Sequence, residues 1–144
     1  MHLTASIALA LSSFLTSSFD TPDISVKFQP FAPAQTIEEY VRDYFVDVPV
    51  MIAIAQCESQ FRQSNKDGTI LKNAKSSAIG VFQIMSSIHQ KNADEKLGLD
   101  ITTIEGNAAY ARYLYEKSGT KPWNASKACW GKTQEAKDHF AAAK

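Results

Sequence analysis

Glu58 stands at the end of the apolar run Val50-Met51-Ile52-Ala53-Ile54-Ala55-Gln56-Cys57, in which Gln56 is the one polar side chain. A carboxyl at the edge of such a surface loses hydration, which disfavours its charged form, and the partial negative charge of a helix C-terminus acts in the same direction. Both effects keep a proton on Glu58 nearer neutral pH, the state from which a general acid donates to a leaving oxygen. An isolated glutamate at a helix end is more often simply solvated, so its neighbours must decide between the two readings. Other chemistries lack their residues. His2, His89 and His139 are far apart and have no cysteine pairs at ligand spacing, so no metal site and no cofactor are expected. A Gly-rich phosphate loop, a GxSxG turn and an HExxH helix are all missing.

The elements that would position Glu58 follow from local signals. Thr36-Ile37-Glu38-Glu39 carries the hydroxyl and, three residues on, the carboxylate that satisfy a helix's first free amides, predicting a helix through Phe45. Pro49 suits the first turn of a second helix, because the amide it lacks has no intrahelical partner there. Val50 to Cys57, apolar nearly all round, reads as a central buried helix; a buried strand is the competing reading, against which the alanines and methionine count. Asp67-Gly68 predicts a short β-hairpin turn before Ile70 and Leu71. Ser86 to Lys96 is a third helix, capped by Gly98. Thr102-Thr103-Ile104-Glu105 repeats the capping box and opens a fourth, with Ile104, Ala108, Ala111 and Tyr115 as its buried stripe and Gly119 and Pro122 as its stop. Short helices around Ser126 to Trp130 and Gln134 to Ala143 complete an all-α fold with one small hairpin.

The chain of 144 residues, 44% hydrophobic and 21% charged, has the make-up of one compact soluble domain. Its 15 basic and 15 acidic residues cancel and are interleaved, which points away from nucleic acid as a partner. Residues 1–19 carry no formal charge and run through Leu3, Ile7, Leu9, Leu11, Phe14 and Leu15 to a small-residue patch, as a secretory leader does, although no Lys or Arg precedes Lys27. A membrane tether through 1–19 is the alternative to cleavage. Pro22, Pro30 and Pro33 mark 20–35 as a linker, leaving 36–144 as the folded domain. Cys57 and Cys129 are the only cysteines, and in an exported domain an even count signals a bridge. Two buried free thiols are the alternative, since Cys57 lies on an apolar helix.

Three blocks then occur in order: Cys57-Glu58-Ser59-Gln60-Phe61; Ala78-Ile79-Gly80-Val81-Phe82-Gln83-Ile84-Met85; and the stretch from Asn107 to Trp123, which ends Gly119-Thr120-Lys121-Pro122-Trp123. Together, over about residues 49 to 130, they resemble the lytic transglycosylase family of the lysozyme superfamily. The resemblance implies a lysozyme-like helical domain, all-α with a minor hairpin, acting on peptidoglycan glycan strands; a monomer is expected, and the 1–19 segment with the cysteine pair makes export to the periplasm, cell envelope or exterior the expected location. It makes Glu58 the catalytic residue, with Ser59 orienting it and Phe61 packing beneath the cleft. Substrate contacts fall to Ser59, Ser77, Gly80, Gln83, Asn107, Tyr110 and Tyr113. Gly80 would let a sugar ring approach the backbone, and the Gln83 amide can both donate to and accept from sugar groups. For Val81, Phe82, Ile84 and Met85 the core reading prevails. Ser77 shares its register with Ser76. The chain departs from the family at position 114, where many members carry a tyrosine and this sequence has Leu114 between Tyr113 and Tyr115.

Most glycosidases set two carboxylates across the scissile bond. The nearest downstream of Glu58 is Asp67, and its glycine neighbour makes it a turn former first. With Asp67 so occupied, Glu58 works alone, and the expected products are 1,6-anhydromuramic ends. A hydrolytic muramidase using Asp67, Asp47 or Asp94 is the rival within the fold. A non-catalytic glycan-binding module is the rival from another class.

Overall fold

The computed structural model describes residues 27–143. The expected leader at 1–19 and the first part of the linker lie outside them. Six α-helices and a two-stranded antiparallel sheet follow in the order α1 (Ile37–Tyr44), α2 (Pro49–Ser59), β1 (Ala78–Ile79), β2 (Ile84–Met85), α3 (Ser86–Leu97), α4 (Ile104–Ser118), α5 (Lys127–Trp130) and α6 (Gln134–Ala142). A 3-10 helix at Lys121–Ser126 joins α4 to α5. Among the described residues no helix is long and apolar enough to cross a membrane.

Local chemistry sets most helix ends. Thr36 accepts from the Glu39 amide at 3.2 Å while Glu39 accepts from the Thr36 amide at 2.8 Å, the reciprocal cap expected for α1. Pro49 occupies the first turn of α2, and Gly98, in the left-handed conformation at φ 61°, closes α3. The capping box at Thr102 is not formed. Thr103 caps α4 instead, accepting from the Gly106 amide at 3.1 Å, and the Glu105 carboxylate accepts from the Phe31 amide at 3.2 Å. That contact also changes the reading of the linker. The Tyr40 and Tyr44 hydroxyls donate to the carbonyls of Gln29 and Lys27, and the Phe31 ring meets Tyr40 edge-on at 5.6 Å, so residues 27–35 are fastened to the helices rather than hanging free.

Helix α2 is the centre of the molecule. Val50 to Ala55 are all buried, and α1, α5, α6 and the 3-10 helix pack around it. That surround explains why its sequence has no polar face. On α4 the buried part is wider than the expected stripe: Gly106 to Arg112 are all buried, whereas Tyr115 is half-buried with its hydroxyl 2.8 Å from His139 Nε2. Arg112 is a buried cation that sequence reasoning missed. It makes a two-pronged bond to Asp47 at 2.7 and 3.1 Å, donates to the Tyr44 carbonyl at 2.8 Å, and lies over the Phe45 ring at 4.9 Å.

The sheet is not where the Asp-Gly pair predicts it. Asp67 and Gly68 do form a tight turn, but the flanking chains make a single bridge, Ser64 to Ile70. The ladder pairs Ala78 with Met85 and Ile79 with Ile84 across a turn at Gly80-Val81-Phe82-Gln83. Gly80, Val81 and Phe82 are buried, and side chains satisfy the turn's peptide groups. Gln63 accepts from the Val81 amide at 2.9 Å, Ser59 donates to the Val81 carbonyl at 2.8 Å, and Asn107 accepts from the Phe82 amide at 3.0 Å. Trp123 donates to the Phe82 carbonyl at 2.9 Å.

Gly80 has φ 73°, and a Cβ there would lie 2.4 Å from Asn107 Nδ2 and 2.7 Å from Gln63 Oε1. Gly68 has φ 83° with nothing near. Gly80→Ala therefore combines backbone strain with a clash and should cost about 3 kcal/mol, against about 1 kcal/mol for Gly68→Ala. Urea denaturation of the two variants checks the difference.

Candidate functional site

Glu58 lies in the last turn of α2, half-buried. Just beyond it the chain reverses through two successive left-handed residues, Gln60 at φ 56° and Phe61 at φ 57°. Neither is a glycine, so the reversal carries backbone strain. Ser59 offsets it: its hydroxyl accepts from the Arg62 amide at 3.1 Å while donating to Val81, which fixes the helix end against the buried turn. The third non-glycine with positive φ among the described residues, Gln83 at 48°, ends that same turn. Strained backbone is thus concentrated in the two segments that meet beside Glu58.

On its other side Glu58 faces the 3-10 helix. Ser126 Oγ donates to Glu58 Oε1 at 2.6 Å. A disulfide between Cys57 and Cys129, with Cα atoms 6.0 Å apart, brackets this contact, since each cysteine is a near neighbour in sequence of one partner. The bridge expected from the cysteine count is thereby formed, and a loop of this length stabilises by about 4 kcal/mol in the chain-entropy account. Burial pushes the Glu58 carboxyl above the usual carboxylate range, and the Ser126 bond opposes that shift. No charged neighbour adds to either effect.

A groove is walled in part by Trp123, which shares the 3-10 helix with Ser126; Glu58 is not among its lining residues. One depression of about 240 Å³ is walled by Gln83, Met85, His89, Leu114 and Trp123. A second, of about 300 Å³, shares His89 and Leu114 and continues past Asn92, Tyr110, Tyr113 and Lys117. Met85 and Ile88, 41% and 61% exposed, supply apolar edges to the groove. Tyr113 receives a hydrogen bond from Lys117 Nζ at 3.0 Å, which pulls its hydroxyl below the usual phenol range. His89, pushed below the usual imidazole range by burial, lies 3.1 Å from the Tyr110 hydroxyl, to which Asn92 donates at 3.1 Å.

The residues expected to touch substrate therefore divide. Gln83 and Tyr113 line the groove; Tyr110 lines it too but is 1% exposed, with its hydroxyl already engaged. Ser59, Gly80 and Asn107 are buried and serve the turn instead. Asn107 uses both ends of its amide, accepting from Phe82 and donating to the carbonyls of Ile79 and Ile101 at 3.2 and 2.9 Å. Gly80 is covered by Asn107 and Gln63, so no sugar approaches it. Ser77 pairs with Ser87 at 2.6 Å, beside the start of α3. Phe61 is half-buried under Arg42, whose guanidinium sits 5.6 Å from the ring centre.

The rival carboxylates are engaged elsewhere. Asp67 accepts from the Thr69 amide at 3.0 Å and the Thr69 hydroxyl at 2.6 Å, which hold it below the usual range. Asp47 is tied to Arg112, and Asp94 borders a separate depression with Gln90, Leu99 and Ile101. Ser126 and Gln63 went unnoticed as site residues in the sequence, and Trp123 was read only as the end of a motif. The Pro122-Trp123 pair was visible as a motif, but nothing local ties Ser126 to a residue on α2.

No protein-family model, curated protein or solved structure matches the chain.

The upward shift of the Glu58 carboxyl has a consequence for stability that is independent of any substrate. A carboxyl whose folded pKa lies above its unfolded value binds more protons when folded. Its contribution to stability is full below the unfolded pKa and is lost as pH rises through the folded one. Glu58→Gln removes this dependence, so the stability of the variant relative to wild type should rise between pH 4 and pH 7. Thermal unfolding of both proteins across that range checks the sign.

Proposed function

We propose that this chain is a lytic transglycosylase of lysozyme-like fold, cutting the β-1,4 bond between muramic acid and glucosamine units of peptidoglycan with Glu58 as its single acid and base. The observation that carries this reading is the setting of Glu58: a carboxyl biased toward its protonated form by burial and held by the Ser126 hydroxyl, with no second carboxylate engaged with it among the described residues. The resemblance of the three sequence blocks supports it. The Cys57–Cys129 bridge supports export, since such bridges persist in oxidising compartments. The glycan strand would lie along Gln83, Leu114 and Tyr113 with its sugar faces on Met85 and Ile88.

In this scheme protonated Glu58 gives its proton to the glycosidic oxygen as the bond from that oxygen to the anomeric carbon breaks. The resulting carboxylate then takes the proton from the muramic acid 6-hydroxyl as that oxygen closes onto the anomeric carbon. The glutamate ends as it began, no water is consumed, and one strand end becomes a 1,6-anhydro ring. The attacking group is already attached to the substrate, an advantage worth on the order of 7 to 11 kcal/mol when well oriented. This offsets the missing second carboxylate that hydrolytic glycosidases use.

Glu58→Gln keeps the size of the side chain but has no proton to transfer. Turnover on purified cell wall should fall by about 10² to 10⁴-fold while binding of glycan strands is retained. Near-normal turnover would remove Glu58 from the reaction.

The second expectation is the product. Mass analysis of fragments released by wild type should find 1,6-anhydromuramic ends, with Asp67→Asn unchanged. Reducing muramic ends alone, together with loss of activity in Asp67→Asn, would replace this reading with a muramidase.

A further inference from the structure

Ser126 Oγ lies 2.6 Å from Glu58 Oε1 and 3.1 Å from the Trp123 carbonyl oxygen. A serine hydroxyl has one proton, so it donates fully to only one of these acceptors at a time. The winner depends on the charge of Glu58. An ionised carboxylate accepts a hydrogen bond roughly twice as strong as a neutral oxygen does. Against neutral Glu58 the Trp123 carbonyl competes; against charged Glu58 it does not.

The carbonyl can release the hydroxyl at little cost. It also accepts from Trp130 Nε1 at 2.9 Å, so it keeps a partner when Ser126 turns away. The hydroxyl itself is held in place by its surroundings. Trp123, earlier in the same 3-10 helix, is pinned through its indole to the Phe82 carbonyl, and Cys129, on the next helix, is covalently joined to Cys57 beside Glu58. Glu58 Oε2 has no hydrogen-bond partner among the described residues, which leaves it as the oxygen that carries the transferable proton.

We propose that Ser126 is a positioning residue for Glu58, its hydroxyl turning from the Trp123 carbonyl to Glu58 Oε1 as the carboxyl gives up its proton, and back as the proton returns. Ser126 keeps its own proton throughout. The bond strengthens as negative charge develops on Glu58, so it stabilises the transition state of bond cleavage more than the ground state. The catalytic part of this proposal rests on Glu58 acting as acid and base; the coupling of the hydroxyl to the carboxyl does not. Of the ionisable groups on neighbouring elements, Lys121 and Lys127 flanking Ser126, Arg62 after α2, Arg42 on α1 and Glu135 on α6, none contributes to the ionisation of Glu58.

The test uses the disulfide-bonded protein as wild type, Ser126→Ala and Ser126→Thr, with thermal melting of each to verify folding. The Glu58 carboxyl is followed by carbon-13 NMR titration, its resonance assigned by its loss in Glu58→Gln. Removing the donor should move the Glu58 titration to higher pH, and threonine should restore it. On cell wall, Ser126→Ala should lower kcat about ten-fold with KM little changed, and carry the alkaline limb of the pH profile upward in step with the titration. Threonine should recover both. An alanine variant that melts and titrates like wild type overturns the proposal, as does a folded threonine variant that behaves like alanine. If the titration moves as stated while wild-type protein cleaves no cell wall, the hydroxyl's hold on Glu58 stands and the transglycosylase reading falls.

Discussion

A peptide turn enclosed in the core is the constraint around which the other elements are arranged. Gly80 to Phe82 run away from water, and each peptide group there would cost several kcal/mol if left unpaired. Four side chains from four places supply the partners: Ser59 at the end of α2, Gln63 just after it, Asn107 on α4 and Trp123 on the 3-10 helix. None of these bonds can be dropped without orphaning a buried donor or acceptor. The turn therefore sets where the end of α2 lies relative to α4 and the 3-10 helix. Glu58 is the residue before Ser59, so its position is inherited from a bond that it does not make.

The same logic runs outward through the aromatic side chains. Tyr44 meets Phe45 at 4.8 Å, Phe45 meets Phe82 at 5.1 Å and Phe82 meets Trp123 at 6.3 Å, a chain of rings from α1 to the wall of the groove. Arg112 ties the α1–α2 connection to α4, and its Nε is a buried donor without a partner among the described residues, a cost accepted for three other strong bonds. The groove face is less covered. Met85 and Ile88 stay exposed there.

Two carboxylates show how setting divides roles between like groups. Glu58 is half-buried with one donor, and burial outweighs that donor, so its charged form is disfavoured. Asp67 is exposed and receives two bonds from Thr69, so its charged form is favoured. A group of the first kind can give a proton near neutral pH, whereas one of the second kind holds a turn.

What the sequence determined by itself was everything governed by neighbours along the chain. The cap at Thr36, the proline at the head of α2, the glycine behind α3 and the buried character of Val50 to Ala55 depend on residues within a turn or two, and the pattern displays them. The tight turn at Asp67 and the singular setting of Glu58 were legible for the same reason. Tertiary structure decided the rest. Asn107 and Gly80 have the residue types of a ligand site, yet a buried turn far away in sequence consumes the Asn107 amide, and Asn107 and Gln63 fill the space above Gly80. Thr103 rather than Thr102 caps α4 where Glu105 is drawn off by the Phe31 amide. Ser126 carries no local sign of its role, because the contact that gives it one spans 68 positions. Local pattern records what a residue is able to donate or accept; only the packed chain settles which partner takes it, since a buried polar group must bond to whatever the fold brings within reach.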